Sequence, residues 1–524
     1  MSEAETHRET ESAETVNEPG AVVNESESGG AVTESETGPV IETEPGNAEV
    51  AGSVAAPLNV AAAPSETVPA ALAAPAAPAE HPTTAASTGG CPFSGAGAAA
   101  DPAGLADSAT LHAALRRRSF LRGAAVGAAG TVIVGGAAGA SVAAADTSDS
   151  GTGSGRVIPF HGVNQAGILT QPQAFATFVS FNATASNRAE LVELFQTITT
   201  RARFLTAGGM PGDLGVASPP ADSDTLGPVV PADGLTITVG VGSSLFDDRY
   251  GLSSSKPVKL APMVIFPNDD MVDSTERDGD ISLQICADHQ DTVMHALRDI
   301  AKHTRGGMQG SWKVDGFQSV PRPSGTQRNQ LGFKDGIANP NVVDDTVTDA
   351  LIWAHGGLRG ERQWAEGGSY QVIRIIRMLV EFWDRVSLNE QELMIGRRRD
   401  SGAPLSGTAE FDTPEYADDP DGNIIPLTAH IRLANPRTTA TYDQQILRRG
   451  YNYERGFDIN GNLDVGLAFC AYQQDVVRQF EAVQTRLIDE PLVDYISPIG
   501  GGYFFALPGV KDPSDYFGSG MFAA

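Results

Sequence analysis

The sequence predicts an α+β fold with antiparallel sheets from about residue 146 to the end of the chain. Two observations support this prediction. Segments of β-branched and aromatic residues, which are typical of strands, alternate with segments whose apolar residues recur every three or four positions, which is typical of helices. The alternation also runs through two similar halves of this region, as expected for a chain that builds related sheets, each covered by helices.

The individual elements follow from these patterns. In the first half we expect strands at 156–160, 176–183, 235–241 and 281–287, and helices at 189–203 and 292–303. The first helix carries Leu191, Leu194, Phe195 and Ile198 on one face. In the second half we expect strands at 370–381, around 430 and at 463–472, helices at 388–395 and 476–487, and a closing Gly-rich segment at 500–508.

The chain ahead of this region has a different composition. Residues 1 to about 110 are rich in Glu, Ala, Pro, Ser and Thr, and residues 1–50 contain thirteen Glu. Such a segment buries too little apolar surface to offset its ordering entropy, so we expect disorder there. We therefore predict four parts: an acidic, Ala/Pro-rich leader (1–115), an export signal (116–145) and two globular halves (146–330 and 331–524).

The predicted export signal has three parts. Basic residues at 116–118 are followed by Phe120 and Leu121, a weakly apolar Gly/Ala/Val run to about Ala140, and small residues up to a cleavage site near Ala145. The basic start resembles a twin-arginine signal, so we expect export to the cell envelope or the exterior. A membrane anchor is the alternative, but the run is Gly-rich. A 115-residue leader before a signal is unusual, and a misassigned start remains open.

Composition excludes some classes of function. The net charge of −29 leaves no electrostatic footprint for nucleic acid. The three cysteines, Cys91, Cys286 and Cys470, cannot form a disulfide framework, and no Cys/His cluster has the spacing of a zinc site.

The segment Gly-Phe-Lys-Asp-Gly-Ile-Ala-Asn-Pro at 332–340 holds a single carboxylate, Asp335, between two glycines. Gly332 and Gly336 let the backbone turn tightly and let a flat ligand approach the main chain. Pro340 stops a helix or a central strand. An ordinary surface turn is the alternative interpretation.

Three further ionisable residues could serve a haem group together with Asp335. His430 offers a neutral nitrogen to the iron. Arg448 or Arg449, which are always protonated, would stabilise a negative peroxide oxygen. A carboxylate moves protons between peroxide oxygens. Periodicity does not show that these residues converge, and a packing or surface histidine is the alternative for His430.

Five segments resemble, in order, the dye-decolorizing peroxidases, in particular their exported EfeB-type branch. The first is GFKDGIANP, which resembles the GxxDG motif of that family. The others are GGSYQVIRIIRMLVEFWDR, HIRLANPR, ILRRGYNY and PIGGGYFFALPGV. The resemblance covers roughly residue 159 to the C-terminus.

The resemblance implies a haem b peroxidase built from two tandem ferredoxin-like halves, arranged like a dimeric α+β barrel, with haem mainly in the C-terminal half. It implies that Asp335 is the distal acid, Arg448 the distal arginine and His430 the axial iron ligand, with Arg449 less favoured. The implied haem contacts are Gly336, Ile337, Ala338, Asn435, Pro436, Arg437, Arg448, Leu467 and Phe469.

Some roles stay open at this stage. Where some branches of the family have Asn, this chain has Gly450. A proximal histidine usually donates to a carboxylate, for which Glu490 and Asp494 are candidates, and either could equally be a solvated loop charge. Aromatic residues that could relay electrons, with packing as the alternative, are Trp353, Trp364, Trp383 and Tyr503.

The implied reaction reduces hydrogen peroxide and oxidises dyes, phenols or other one-electron donors through a ferryl intermediate. An alternative is iron handling, by removal of iron from haem or oxidation of ferrous iron, with partners in iron uptake. A haem-binding protein without turnover and a secreted domain without cofactor are further alternatives. The expected partners are peroxide and a small-molecule or dye reductant; a homodimer is left open.

Overall fold

The computed structural model describes residues 155–524 of the 524-residue chain. The predicted leader (1–115) and export signal (116–145) lie outside the described residues. The strands are Phe175–Ala183 (β1), Thr236–Gly242 (β2), Ile281–Ala287 (β3), Met308–Phe317 (β4), Ser369–Met378 (β5), Leu447–Arg448 (β6), Tyr451–Phe457 (β7), Leu463–Gln473 (β8) and Ile496–Ala506 (β9).

The α-helices of this region are Arg188–Ala207 (α1), Gln290–His303 (α2), Asp345–Leu351 (α3), Val380–Trp383 (α4), Leu388–Ile395 (α5), His430–Ala434 (α6), Ala482–Arg486 (α7) and Ser519–Ala523 (α8). A π-helical turn, Val477–Glu481, leads directly into α7. Within residues 155–524, no helix combines the length and the apolar character needed to cross a membrane.

The strands form one antiparallel sheet that closes on itself. The strand order is β5-β9-β2-β3-β1-β4-β7-β8-β6, and β5 also pairs with β8. The first half contributes the order β2-β3-β1-β4 and the second half β9-β5-β8-β7. Two short contacts join the halves: three residue pairs between β2 and β9, and the single pair Phe317↔Asn452 between β4 and β7.

Alternation along each strand separates two faces. On β3, Ile281, Leu283 and Ile285 belong to the apolar layer under the helices, whereas Gln284 and Cys286 point into the barrel. Polar side chains inside the barrel are joined by hydrogen bonds. For example, the Tyr472 hydroxyl donates to Gln284 Oε1 over 2.9 Å. Buried polar groups are tolerated there because they bind one another.

Helix α1 shows why the predicted helices form. Asn187 caps its start by accepting a hydrogen bond from the Glu190 amide over 3.0 Å. Gly208, at φ 68°, ends it in a conformation that favours glycine. The apolar face predicted from the sequence is fully buried: Leu191, Leu194, Phe195 and Ile198.

In the second half, the outer face of the sheet borders the functional residues. Arg374 on β5 lies opposite Phe469 on β8, and Ile376 lies opposite Leu467. Since these positions alternate with barrel-facing residues, the four side chains lie on one face. The short helix α6, which begins at His430, lies on this side and contacts α5 and α7.

Three secondary-structure predictions were wrong. Residues 156–160 form no strand, because this extended segment has no ladder partner. The segment around His430 is helix α6 rather than a strand. The predicted strand at 370–381 ends at Met378, and α4 follows. The domain limit expected at residue 330 stays a prediction.

Candidate functional site

The loop at 332–340 presents Asp335 beside strand β6. Gly332 and Gly336 adopt φ values of 84° and 90°, which favour glycine. Asn339 fixes the loop to the strand, because its amide both donates to the Arg448 carbonyl (2.9 Å) and accepts from the Arg448 amide (3.0 Å). Asp335 Oδ1 lies 2.9 Å from Arg448 Nη1. The two predicted residues therefore form an ion pair.

The two consecutive arginines at 448 and 449 point in opposite directions. Arg448 ends β6 and its side chain is 28% exposed. Arg449 is buried in the protein interior, where it donates to the Thr170 carbonyl and to Gln173 Oε1. Only Arg448 is therefore placed to meet a ligand next to Asp335, in line with the choice made from the sequence.

His430 begins α6, and its Nδ1 lies 2.7 Å from Glu490 Oε2. A carboxylate accepts hydrogen bonds, so Nδ1 carries the proton and the Nε2 lone pair stays available. Of the two acidic candidates, Glu490 is buried with a side chain only 3% exposed, whereas Asp494 is exposed to solvent. Glu490 is therefore the carboxylate that orients His430.

The charges of Glu490, Arg448 and Asp335 all act on the pKa of His430. Burial lowers the pKa of His430, but the charge and hydrogen bond of Glu490 raise it more, so that the pKa lies above its ordinary value. The charge of Arg448 also lowers the pKa of His430, and that of Asp335 raises it. The ion pair and the histidine therefore border the same part of the molecule. The side chain of His430 is nevertheless 28% exposed, so solvent reaches it. We call the partly exposed region that it shares with Asp335 and Arg448 the hollow.

Two further arginines give this hollow a cationic edge. Burial lowers the pKa of Arg397 to about 10, and the nearby charges of Arg437 and Arg448 lower it as well. Arg397 Nη1 donates only to backbone carbonyls, those of Gly402 and Glu410. Among the described residues, neither Arg397 nor Arg437 forms an ion pair with a carboxylate. The edge is therefore suited to an anionic group.

The other residues implied by the resemblance surround this hollow. Residues 335–339 and 430–436 are all half-buried, whereas Arg437 is exposed. Leu467 is buried and Phe469 half-buried, with Phe469 packed against Phe480 at a ring distance of 5.9 Å. The half-buried positions include Gly336, Ile337, Ala338, Asn435 and Pro436.

These residues fit a haem group. A Cβ built on Gly336 would meet only Asn339 Nδ2, at 3.9 Å, so there is room for a flat ligand against the main chain. His430 offers a nitrogen, and Arg397 and Arg437 offer charge for two propionates. Within residues 155–524, no three His, Cys, Asp or Glu side chains are grouped as ligands of a bare metal ion.

Sequence reasoning missed Arg397 and Asn339. Arg397 is the first of three consecutive arginines after Gly396, which ends α5 at φ 90°. That run of basic residues was a usable signal. Asn339 stood in the quoted motif, but its two bonds to Arg448 join positions 109 residues apart. No local pattern reports such a contact.

The aromatic residues suggested as electron relays are mostly buried. Trp383 and Tyr503 are at most 2% exposed, and Trp353 is 8% exposed. Trp364 is half-buried and donates its indole N–H to the Ser255 carbonyl over 2.8 Å. Trp383 packs edge-on against Tyr495 at 5.2 Å. Each residue therefore has packing contacts or a hydrogen bond inside the protein, and a role in electron relay stays a prediction.

The chain matches two family models of the same family. Residues 165–318 match the model described as Dyp-type peroxidase, N-terminal, and residues 326–511 match Dyp-type peroxidase, C-terminal. The Deferrochelatase of Escherichia coli (strain K12) is 50% identical over 368 residues, which are 69% of this chain and 86% of that protein. The Deferrochelatase of Yersinia pestis is 48% identical over 370 residues, 70% of this chain and 85% of that protein.

Solved structures show the same fold. The DyP-type peroxidase from Cellulomonas bogoriensis is 35% identical, with a TM-score of 0.62, and the match covers 70% of this chain and 98% of that one. Ferric DtpA from Streptomyces lividans is 32% identical, with a TM-score of 0.63 and coverage of 71% and 98%. These findings confirm the expected α+β fold and family. The chain therefore belongs to the Dyp-type peroxidases of the EfeB-type branch, and it is a peroxidase whose cofactor is haem b.

Proposed function

We propose that the hollow between His430, Asp335 and Arg448 is where hydrogen peroxide is reduced. The single observation that carries this proposal is the 2.9 Å ion pair of Asp335 and Arg448, whose charges both act on His430. A proton carrier, a fixed cation and an oriented imidazole are the groups that peroxide cleavage at haem requires.

His430 would hold haem b through Nε2, because Glu490 engages Nδ1. Arg437 and Arg397 would bind the propionates at the cationic edge. Haem b, when bound, supplies the iron that takes up peroxide and the electrons that break the O–O bond. Glu490 increases the donor strength of the imidazole by stabilising positive charge on it.

Asp335 accepts a proton from one oxygen of hydrogen peroxide and delivers it to the other, which leaves as water. Arg448 stabilises the negative charge that builds on the departing oxygen. The ion pair also fixes the orientation of the Asp335 carboxylate, since Arg448 is itself tied to the loop by Asn339. Leu467 and Phe469 form an apolar wall that limits access of bulk water.

Two substitutions test the roles of the ion pair. Asp335→Asn and Arg448→Leu should keep haem and its absorption, but each should react with peroxide roughly 10²- to 10³-fold more slowly. Stopped-flow absorption spectroscopy measures the rate. Asp421→Asn, an exposed carboxylate elsewhere, is the matched control. Wild-type rates in both variants would remove Asp335 and Arg448 from the mechanism.

A third substitution tests the axial ligand. His430→Ala should lose or weaken haem binding, seen as a reduced Soret absorbance per protein, because the iron loses its protein nitrogen. Added imidazole should restore part of the absorbance. Unchanged haem content and an unchanged spectrum would show that His430 is not the ligand.

We propose dyes, phenols and similar one-electron donors as reductants. Release of iron from haem is the second candidate function. It is favoured by relatives that are 48% and 50% identical in sequence to this chain and carry the name Deferrochelatase. Incubation of the haem-loaded protein without peroxide distinguishes the two. Iron-free protoporphyrin, detected by its fluorescence, would support iron release, and dye oxidation that depends on peroxide would support the peroxidase.

We also propose export through the twin-arginine pathway, on the basis of the residues at 116–145. A reporter fused to residues 1–145 should be exported, and replacement of Arg117 and Arg118 by lysine should stop it. Iron-uptake partners and a homodimer remain proposals that rest on the sequence alone. Sedimentation of the purified protein shows whether it forms a dimer in solution.

A further inference from the structure

Lys334, the residue directly before Asp335, is a buried cation that faces away from the site. Its side chain is 2% exposed. Its Nζ lies 2.5 Å from Glu410 Oε2 and also donates to the Ser324 carbonyl. Lysine is rarely buried so completely without a specific partner. Because its two charges are buried, the ion pair does not serve to keep the chain soluble, and its presence needs another explanation.

Glu410 joins three segments of the chain. Its Oε1 accepts hydrogen bonds from the amide and the hydroxyl of Thr326, both over 2.7 Å. Its backbone carbonyl accepts from Arg397 Nη1 over 3.0 Å. Burial raises the pKa of Glu410, but the hydrogen bonds from Lys334 and Thr326 and the charge of Lys334 lower it more, so that the pKa lies below its ordinary value. Glu410 thus connects Lys334 with the segment at 324–327 and with the cationic edge.

The surrounding backbone packs closely against this ion pair. A Cβ built on Gly325 would lie 2.0 Å from Glu410 Oε2, and one on Gly402 would lie 2.7 Å from Lys334 Cδ. Both glycines have positive φ, 78° and 79°. The two loops can approach the ion pair closely only because these positions are glycine.

The segment at 324–327 in turn holds Asp335. The Asp335 amide donates to the Gln327 carbonyl over 2.9 Å. Gln327 Nε2 donates to the Gly450 carbonyl over 3.0 Å, two residues beyond Arg448. The contacts of Lys334 and Glu410 therefore lead, through Thr326 and Gln327, to both members of the Asp335–Arg448 ion pair.

A buried ion pair is a poor source of stability, because desolvation of the two charges offsets most of their attraction, and apolar residues of the same volume often do as well. Its directional bonds, however, define a geometry. We propose that the Lys334–Glu410 ion pair is a positioning device that fixes the Asp335 carboxylate against Arg448. This inference rests on the proposed function of Asp335.

Lys334→Met and Glu410→Gln test the inference in the haem-loaded protein. Each should keep its haem but react with peroxide roughly ten- to a hundredfold more slowly, because a misplacement of about 1 Å costs up to about 10²-fold. Lys313→Met is the matched control, since Lys313 pairs with Asp315 at the surface. It should react like the wild type. A wild-type rate in Lys334→Met and in Glu410→Gln would overturn the inference.

Hydrogen exchange gives a readout that does not depend on turnover. In the haem-loaded protein without peroxide, peptides that cover residues 324–335 should exchange faster in Lys334→Met than in the wild type or in Lys313→Met, since the loop loses its anchor. Unchanged exchange in these peptides would overturn the inference, whatever the rates.

Double variants separate this inference from the proposed function. Lys334→Met combined with Asp335→Asn should be no slower than Asp335→Asn alone, because the device acts through Asp335; an additive loss would overturn the inference. If Asp335→Asn itself reacts like the wild type, the proposed function fails, and the exchange of residues 324–335 still decides the positioning.

If Lys334→Met leaves Glu410 unpaired and does not fold, Lys334→Met with Glu410→Met removes both charges and should fold. That variant should also react slowly, and a wild-type rate in it would overturn the inference.

Discussion

The buried carboxylate of Glu490 sets how tightly the histidine site holds haem. Glu490→Gln keeps the size of the side chain and an oxygen that accepts from His430 Nδ1, now 2.7 Å away, but removes the charge. That charge raises the pKa of His430 against the opposing effect of burial. Without it, the imidazole becomes a weaker donor to iron. Loss of such a partner costs roughly 10- to 100-fold in affinity, or about 1.4–2.7 kcal/mol.

The assay is transfer of haem from the purified protein to an excess of a haem-free globin, followed by absorption. The Glu490→Gln variant should release haem roughly 10- to 100-fold faster than the wild type. Asp494→Asn is the control, since Asp494 is the exposed neighbouring carboxylate. Equal release rates in wild type and Glu490→Gln would refute the argument that Glu490 tunes the ligand.

Two further predictions concern stability. Arg374→Met should lower the free energy of unfolding by about 3–5 kcal/mol, because Asp269, its partner, stays buried without a counter-charge; urea denaturation measures the loss, and a second change, Asp269→Leu, should restore part of it. If Asp269→Leu restores nothing, the ion pair is not the cause. The hydrogen bond from Arg377 lowers the pKa of Asp458 to about 2 from an ordinary 3.8, although burial raises it. Because the folded pKa is depressed, the stabilisation is present above pH 3.8 and lost as the pH falls towards 2. Asp458→Asn should therefore unfold at a lower temperature than the wild type at neutral pH but alike near pH 2, and a difference that persists at pH 2 would contradict this.

The elements with a clear period could be predicted from the sequence. The predicted strand at 281–287 and the predicted helix at 388–395 agree with the structure. The residues within each segment are enough to predict it, without knowledge of contacts from distant parts of the chain. The segment around His430 alternates like a strand, yet it forms α6. That short helix is held by bonds to residues outside it: Arg432 Nη1 donates to the nearby Ile425 carbonyl (2.8 Å), and Arg486 Nε, 53 residues further on, donates to the Leu433 carbonyl (2.8 Å).

The site residues that lie in short sequence motifs were predictable. Those that depend on the folding together of distant segments were not. Asp335 and Arg448 come from such motifs and meet as an ion pair. The choice between Glu490 and Asp494 needed the 3₁₀ turn Pro491–Tyr495, which leaves Asp494 exposed to solvent. The three consecutive arginines at 397–399 were a signal, but no local pattern shows that Arg397 is buried and donates to the Gly402 and Glu410 carbonyls.

The order in which the barrel closes has a consequence for biosynthesis. Strand β9 is the last strand of the chain, and it pairs both with β5, more than a hundred residues earlier, and with β2 of the first half. A nascent chain that has not reached residue 496 therefore leaves two strand edges open, which are sites of aggregation. Since the first half can pair its own four strands beforehand, it is expected to fold first during translation. The His430–Glu490 pair forms only after residue 490 has emerged, so the tight binding of haem that Glu490 supports comes after that point.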